Sequence, residues 1–338
     1  MIITRTPFRI SFFGGGTDYT GWFREHGGAV LATSIDKYCY LTVRHLPPFF
    51  EHRHRIVWSQ VELPRSLTEI KHPAVRAILQ EMGGQTDSLG YEIHHDGDLP
   101  ARAGLGSSSS FAVGLIHAMH ALQGRMVSKH DLACEAIRIE QEVLRENVGC
   151  QDQVTTSHGG FNRIDFRPSG EIDVNPIILS RERLARIQDS LLLVFTGISR
   201  FASDVAAKQI ENLQTRAAEL TAMQQMVDEA GAILASNDDP VEPFGRLLDR
   251  SWKLKRKLAA GVTTSRVDDI YEAALKGGAY GGKLLGAGGG GFMLFVVPDG
   301  GRQAVLDRLK GLVDVRFRFE TGGSKVLYAE RDGWDGGG

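Results

Sequence analysis

The most informative stretch of the chain is Pro100-Ala101-Arg102-Ala103-Gly104-Leu105-Gly106-Ser107-Ser108-Ser109-Ser110, which leads directly into Phe111-Ala112-Val113-Gly114. Two glycines let a backbone wrap closely around an anion. The serines stand where an apolar helix is predicted over residues 107–123, so that unpaired N–H groups and the positive end of the helix dipole would face a bound phosphate. A flexible linker is the simpler interpretation, but a linker would not run at once into an apolar helix. The stretch therefore predicts a phosphate-binding loop.

Two other glycine-rich segments match nucleotide motifs in spacing but not in context. Residues 286–291 fit the dinucleotide pattern, yet a strand follows where that fold needs a helix. Residues 277–282 with Lys283 fit a Walker loop, but Leu284 stands where a magnesium-binding hydroxyl is required. We reject both nucleotide motifs. The glycines of residues 283–291 could still let the backbone line a site.

A carboxylate stands on the apolar side of the helix predicted over residues 132–146. At about 100° per residue, Leu132, Ala136 and Val143 share one face, and Glu140 lies near its middle. Burying an unpaired carboxylate is costly. A buried arginine would be the structural partner of Glu140, and a divalent cation the functional one. Because a phosphate loop precedes it in the chain, we favour magnesium.

A second carboxylate, Asp152, stands at the entry of a helix predicted to begin after Gly149. The helix dipole alone favours an aspartate there. The same position also fixes a carboxylate on a rigid element, a few residues beyond the proposed metal ligand, where a catalytic base would be useful. The residues themselves leave both interpretations open.

Composition narrows the class of protein. A chain of 338 residues predicts two domains, and a formal net charge of -2 provides no basic field for nucleic acid or an acidic membrane. Three cysteines without a CxxC pair argue against a disulfide framework or a zinc site. We see neither a signal peptide nor an apolar run of about 18 residues, and we expect a cytoplasmic protein without membrane or nucleic-acid partners. Strands and helices alternate irregularly, which favours an α+β fold.

In chain order, these motifs resemble those of the GHMP kinase superfamily, which includes galactokinase, homoserine kinase and mevalonate kinase. The resemblance covers residues 9–18 (a substrate motif), 100–110 (the phosphate motif PxxxGLGSS) and 283–292 (a C-terminal glycine motif). It implies an α+β GHMP kinase fold. The N-terminal domain, residues 1–180, would contain a left-handed βαβ crossover with the ATP and substrate motifs, and residues 181–338 would form a ferredoxin-like domain.

The same resemblance implies roles for individual residues, with ATP and Mg²⁺ as cofactors. Asp152 aligns with the catalytic aspartate of the sugar-kinase branch, and Arg9 with the basic residue beside it. Ser108 and Glu140 would bind Mg²⁺. The residues implied to bind ATP are Gly104, Leu105, Gly106, Ser107, Ser108, Ser109, Ser110, Trp58 and Ser59. The residues implied to bind the substrate are Gly15, Gly16, Thr17, Asp18, Gly288 and Gly289, with Asp18 on the sugar hydroxyls.

Within the superfamily, Gly14-Gly15-Gly16-Thr17-Asp18 resembles the bacterial D-glycero-D-manno-heptose 7-phosphate kinases more than the galactokinases, which have Gly-Glu-His-Thr-Asp. That branch phosphorylates the anomeric hydroxyl to the 1,7-bisphosphate, on a route to activated heptose for capsule or lipopolysaccharide. A kinase for fucose, galactose or mannose shares Asp18 and Asp152 and is the alternative. A sugar-sensing regulator without turnover would lack a metal ligand or the base. Ser108, Glu140 and Asp152 are all present, which argues against a regulator.

A phosphorylated sugar would need a cation for its own phosphate group. The candidates in the N-terminal half are Arg24, Lys37, Arg53, Arg102 and Arg138. Arg138 is the poorest of them, because it falls on the polar face of its predicted helix. The oligomeric state is left open, a homodimer included.

Overall fold

The computed structural model describes residues 1–83, 89–101, 103–198 and 203–330. Arg102 and the tail at residues 334–338, which the sequence predicts to be frayed, lie outside the described residues. The strands are β1 Ile2–Phe13, β2 Gly28–Leu46, β3 Arg55–Val57, β4 Val61–Glu62, β5 Gly90–Gly97, β6 Phe161–Phe166, β7 Ile172–Pro176, β8 Leu191–Phe195, β9 Gly281–Leu284, β10 Phe292–Val296, β11 Val313–Val315, β12 Phe319–Glu320 and β13 Lys325–Ala329. The helices are α1 Thr20–His26, α2 Pro73–Met82, α3 Ser107–Leu122, α4 Lys129–Arg138, α5 Gln151–His158, α6 Arg181–Ser190, α7 Ser203–Glu211, α8 Ala217–Ala235, α9 Val241–Leu258, α10 Ser265–Lys276 and α11 Arg302–Arg308.

The first sheet is organised around the long strand β2. Within the described residues it has nine strands, in the path β13-β1-β2-β5-β3-β4, while β6 and β12 also pair with β2 and β7 pairs with β6. The pairs are antiparallel except β3 with β5, which are parallel and have α2 between them in the chain. Strands β12 and β13 follow the strands of the second sheet in the chain but belong to the first sheet. The division of the chain after residue 180 therefore stays a prediction.

Strand β1 is buried on both faces. The alternation of Phe8, Ile10 and Phe12 with Arg9 and Ser11 predicts a strand, and all five side chains are buried. Besides its neighbouring strands, β1 contacts α3, α5, α8 and α9, so both of its sides are covered. The polar residues of β1 thus face the interior of the molecule, where the site described below lies.

The second sheet has the order β11-β8-β10-β9 and is antiparallel throughout. Numbered along the chain, its strands stand in the order 4-1-3-2, with helices between the first and second strands and between the third and fourth. This is the βαββαβ arrangement of ferredoxin-like domains. Its apolar core includes Leu192, Val194, Met293 and Phe295, packed with Trp252 of α9. The predicted α+β class and ferredoxin-like C-terminal half are confirmed.

Three predicted elements differ in detail from the structure. The sequence predicts one strand over residues 55–63, but these residues form the hairpin β3–β4, because the chain turns at Trp58, whose amide donates to the Gln60 carbonyl at 2.9 Å. The sequence has few helix breakers over residues 203–236 and predicts one long helix there, but the structure has two, α7 and α8. The helix predicted to reach residue 146 is α-helical to Arg138 and continues as the π-helix Ile139–Val143. Across the described residues, none of the helices combines the length and apolar character that a membrane span requires.

Candidate active site

A cavity of about 360 Å³ lies where the two halves of the chain meet. It is lined by residues of β1, the phosphate loop, α5, α7, α9 and the loop that joins β9 to β10. The predicted site residues in its lining are Arg9, Gly15, Gly16, Asp18, Gly104, Gly106, Ser107, Ser108 and Asp152. A larger open cleft of about 640 Å³ beside His158 and Phe161 contains none of the predicted site residues.

Glycine is required at two turns of the predicted phosphate loop. Gly104 and Gly106 have φ angles of +82° and +74°. A Cβ atom on Gly104 would lie 2.4 Å from the Leu285 carbonyl oxygen, and one on Gly106 would lie 3.0 Å from Arg9 Cγ and 3.3 Å from Asp152 Oδ2. Gly106 is also the N-cap of α3, so the start of that helix faces the cavity. This is the arrangement that favours binding of an anion.

The four serines that follow Gly106 divide into two pairs. Ser107 and Ser108 line the cavity. Ser109 is buried and donates to Glu140 Oε2 at 2.8 Å, while the Ser110 hydroxyl donates to the carbonyls of Pro7 and Gly106, each at 2.9 Å. The second pair thus holds the loop in place, whereas the first pair faces the cavity.

Asp152 and Arg9 form a bidentate ion pair at the cavity wall. Arg9 Nε donates to Asp152 Oδ1 at 2.7 Å, and Nη2 donates to Oδ2 at 2.6 Å. The remaining guanidinium nitrogen, Nη1, donates to the Gly104 carbonyl at 2.6 Å. The Arg9 side chain is 5% exposed and that of Asp152 is 23% exposed. The pair therefore fixes a carboxylate beside the phosphate loop, with one side open to a ligand.

Asp18 is a buried carboxylate held by backbone and side-chain donors. Oδ1 accepts from Gly16 N at 2.9 Å and Gln151 Nε2 at 3.0 Å, and Oδ2 accepts from Gln151 N at 3.2 Å. The pKa of Asp18 is raised above its usual value, mainly by burial. The hydrogen bond from the Gly16 amide opposes this rise, and the nearby charge of Asp152 adds to it. Gly149 lies against this carboxylate, because a Cβ there would be 1.9 Å from Oδ2. Asp18 and Asp152 are thus brought to one cavity from opposite ends of the N-terminal half.

Glu140 is 1% exposed, as its place on the apolar face predicts. Ser109 Oγ and Gln153 Nε2 donate to its Oε2 at 2.8 and 2.5 Å. Among the described residues, no lysine or arginine forms an ion pair with Glu140, which removes the arginine partner as an explanation within that part of the chain. Burial raises the pKa of Glu140 to about 8. The carboxylate is therefore one that a nearby cation would stabilise.

The donor set around the phosphate loop is compatible with Mg²⁺ but contains few protein ligands. Ser108 offers an exposed hydroxyl at the cavity, whereas Glu140 lies behind Ser109 and outside the cavity lining. In the part of the chain that the structure describes, no three carboxylate, imidazole or thiol side chains cluster as a metal site. Protein sites for Mg²⁺ often use one or two side chains, with substrate phosphates completing the shell. The assignment of Ser108 and Glu140 to Mg²⁺ stays a prediction.

Several residues implied to bind ligands lie away from the cavity lining. The Thr17 hydroxyl is buried and donates to the carbonyls of Gly14 and Ala29, so it stabilises the turn. Gly288 and Gly289 pack against Val262. Leu105 is buried in the core. Trp58 donates from Nε1 to Glu62 at 2.9 Å and, like Ser59, does not line the described cavity.

The proposed cations for a substrate phosphate do not line the cavity either. Arg24 donates to the Ser169 carbonyl at 2.6 Å, and Lys37 donates to the carbonyl of Asp36, its neighbour in the chain. Arg138 pairs with Glu81 at 2.9 Å. These three and Arg53 are absent from the lining, and Arg102 is outside the described residues.

Two lysines in the cavity lining were not predicted as site residues. Lys255 is buried on α9, where it shares a face with Phe244, Leu248 and Trp252. A charged residue on an apolar face is the same signal that singles out Glu140, so the sequence contained it. Lys283 on β9 is also buried, and its Nζ donates to the carbonyls of Ser11 and Phe12 at 2.9 and 2.8 Å. Lys283 thus connects the second sheet to β1, and no local sequence pattern predicts this contact.

Comparison with known proteins identifies the class. Residues 69–160 match the GHMP kinases N terminal domain, and residues 230–313 match the GHMP kinases C terminal domain. The chain belongs to the GHMP kinase family. It is therefore a kinase of this family, an enzyme that transfers phosphate to a hydroxyl acceptor.

Individual relatives refine this placement. The chain is 28% identical over 308 residues to D-glycero-alpha-D-manno-heptose 7-phosphate kinase of Campylobacter jejuni, covering 88% of this chain and 89% of that one. It is 26% identical over 318 residues to the bifunctional fucokinase/GDP-fucose pyrophosphorylase of Arabidopsis thaliana, covering 87% of this chain and 29% of that one. The crystal structure of a D-glycero-D-manno-heptose 1-phosphate kinase from Bacteroides thetaiotaomicron superposes with a TM-score of 0.79 at 22% identity, covering 98% of this chain and all of that one.

Proposed function

We propose that the chain transfers the γ-phosphate of ATP to the anomeric hydroxyl of D-glycero-D-manno-heptose 7-phosphate and releases the 1,7-bisphosphate and ADP. The observation that carries this proposal is the Arg9–Asp152 pair beside the start of α3, with Asp18 in the same cavity. A phosphate site, a fixed carboxylate and a second carboxylate for sugar hydroxyls are the parts that this reaction needs. The Campylobacter relative, similar over nearly its whole length, supports the heptose phosphate as acceptor.

In the proposed reaction, the N–H groups at the start of α3 bind the ATP phosphates and place the γ-phosphoryl group at the cavity. Asp18 accepts hydrogen bonds from sugar hydroxyls and orients the ring. Asp152 accepts the proton of the attacking hydroxyl, while Arg9 holds its two oxygens in position. Ser108 and Glu140 are the residues that would hold Mg²⁺, which would neutralise charge on the ATP phosphate oxygens.

One structural observation favours the alternative, a hexose kinase. The four described candidates for binding a substrate phosphate lie outside the cavity lining, and a neutral sugar needs no such cation. The fucokinase relative points the same way, although the chain spans less than a third of its length. On either proposal the enzyme would act in the cytoplasm, where ATP is available. Its place in surface polysaccharide synthesis belongs to the heptose proposal alone.

The two proposals are separated by catalytic efficiency on matched acceptors. We would compare kcat/KM for mannose, mannose 6-phosphate and the heptose 7-phosphate, and locate the new phosphate on the product by ³¹P NMR. A clear preference for the phosphorylated heptose, with phosphate added at the anomeric oxygen, is the expected result. Equal or better use of an unphosphorylated hexose would reject the heptose proposal and establish the hexose kinase.

A further inference from the structure

Three cationic side chains are buried in the cavity lining, and they differ in how well they are paired. Each of the three N–H-bearing nitrogens of Arg9 donates a hydrogen bond, two of them to Asp152. Lys283 donates to two backbone carbonyls of β1. Within the described residues, the Lys255 ammonium has one acceptor, the Gly286 carbonyl. An ammonium carries three donors, so Lys255 is the least satisfied of the three cations.

The position of Lys255 is set by a contact between two glycine loops. Gly286 packs against Gly104 of the phosphate loop, since a Cβ on Gly286 would lie 2.5 Å from Gly104 Cα. Lys255 Nζ is bound to the carbonyl of that same Gly286. The ammonium is therefore held at the place where the C-terminal glycine loop meets the phosphate loop, at the end of the cavity where the proposed function puts phosphate transfer.

The charges around Lys255 belong to the reacting centre. Asp18 and Asp152 attract the ammonium, while Arg9 and Lys283 repel it. Lys255 is 6% exposed, and burial lowers its pKa to about 8, with the charge of Arg9 adding to that effect. A buried ammonium with one neutral acceptor is unfavourable, and a hydrophobic side chain of similar length would fill this part of α9 at lower cost. An arriving anion would supply the missing partner.

We propose that Lys255 is a catalytic residue whose ammonium contacts the transferring phosphoryl group. The proposal rests on the function proposed above. In the reaction, the bond from the γ-phosphorus to the ADP oxygen breaks and a bond from that phosphorus to the sugar oxygen forms. The hydroxyl proton moves to Asp152, and Lys255 keeps its protons. Its charge stabilises the negative oxygens of the phosphoryl group, a preorganised contribution worth about 10²- to 10³-fold in turnover.

A competing role for Lys255 is to bind the phosphate that the heptose already carries. That phosphate is at the far end of the sugar from the anomeric oxygen. The carboxylates whose charges act on Lys255 are instead Asp18 and Asp152, which are proposed to hold the reacting end of the sugar. The acceptor of Lys255, Gly286, touches the phosphate loop. The position therefore favours contact with the transferring group over contact with the substrate's own phosphate.

The test compares Lys255→Met with Lys257→Met, an exposed lysine two residues along the same helix. We would measure kcat and KM with phosphorylated and unphosphorylated acceptors, ATP affinity without acceptor, and the thermal unfolding temperature. We expect Lys255→Met to lower kcat by about 10²- to 10³-fold on every acceptor that the wild type uses, with little change in either KM. Lys257→Met should behave as wild type. A higher KM confined to phosphorylated acceptors, or an unchanged kcat in folded Lys255→Met, would overturn the proposal.

A second variant, Lys255→Arg, tests the charge itself and keeps the inference testable if Lys255→Met does not fold. As Lys255 loses its proton, wild-type kcat/KM should fall as pH rises through about 8. Arginine stays charged to pH values above 12, so Lys255→Arg should keep activity at alkaline pH. An identical alkaline decline in both proteins would overturn the role of Lys255. A wild type that phosphorylates no sugar at all would instead refute the proposed function, and the role of Lys255 with it.

Discussion

Replacing Asp152 with asparagine removes the proposed catalytic base and changes little else in size. The carboxylate accepts two charge-assisted hydrogen bonds from Arg9, at 2.7 and 2.6 Å. The asparagine oxygen can keep one of these hydrogen bonds. Its NH₂ group would face a guanidinium N–H, and because both groups are donors, no hydrogen bond can form between them. We therefore expect the variant to fold and to lose one hydrogen bond to a charged group, worth about 1.5–3 kcal/mol of stability.

The effect on turnover should be larger than the effect on stability. An amide cannot accept the proton of the sugar hydroxyl, and loss of a general base typically lowers turnover by about 10²- to 10⁴-fold. ATP affinity should barely move, because the N–H groups at the start of α3 are unchanged. The expected signature is therefore a large fall in kcat with an intact nucleotide site.

The assay would couple ADP release to NADH oxidation for turnover and use calorimetry for ATP affinity. Asp173→Asn is a matched control, because Asp173 pairs with Arg167 at 2.6 Å on the first sheet, outside the cavity lining. That variant should keep wild-type turnover. Turnover of Asp152→Asn within about tenfold of wild type would refute the base assignment. A parallel fall in ATP affinity would show that Asp152 shapes the nucleotide site instead.

Three further predictions follow from single residues. Glu140→Gln should fold and lower magnesium-dependent turnover by about 10²- to 10³-fold; near-normal activity across a Mg²⁺ titration would exclude Glu140 as a ligand. Gly106→Ala should abolish most turnover, because its Cβ would press on the Arg9–Asp152 pair, whereas Gly124→Ala has a similar φ of +68° with open space and should lose stability only. Glu92 is buried, yet hydrogen bonds from His94, Arg44 and Arg55 lower its pKa to about 2. The ionised form of Glu92 should stabilise the fold by up to about 3 kcal/mol above pH about 4.5 and lose that effect as the pH falls toward 2. The free energies of unfolding in urea of Glu92→Gln and the wild type should therefore converge as the pH approaches 2.

Local sequence patterns predicted several pieces of the candidate site. The apolar run after the serines fixed the start of α3 at Ser107, because helix formation there depends on neighbouring residues only. Helical periodicity placed Glu140 among apolar side chains, and it is buried. The same periodicity would have marked Lys255 on α9. It could not show that the helix of Glu140 changes to a π-helix at Ile139, since that change depends on how the segment packs.

Contacts between distant parts of the chain were decided by the tertiary structure. Residues 9 and 152 are separated by 143 positions, and no local rule joins them; only the family resemblance placed them side by side. Local rules also do not predict that Lys283 donates from the second sheet to carbonyls of β1. Nor do they predict that β13, near the C-terminal end of the described chain, pairs with β1 at the N-terminal end. Spacing and the chemistry of adjacent residues were enough to predict the helix that begins at Ser107, the glycine turns before it and a candidate phosphate-binding loop, because these features depend on short stretches of the chain. Which side chains face one cavity depends on how the two sheets pack against their shared helices, and only the folded chain determines that.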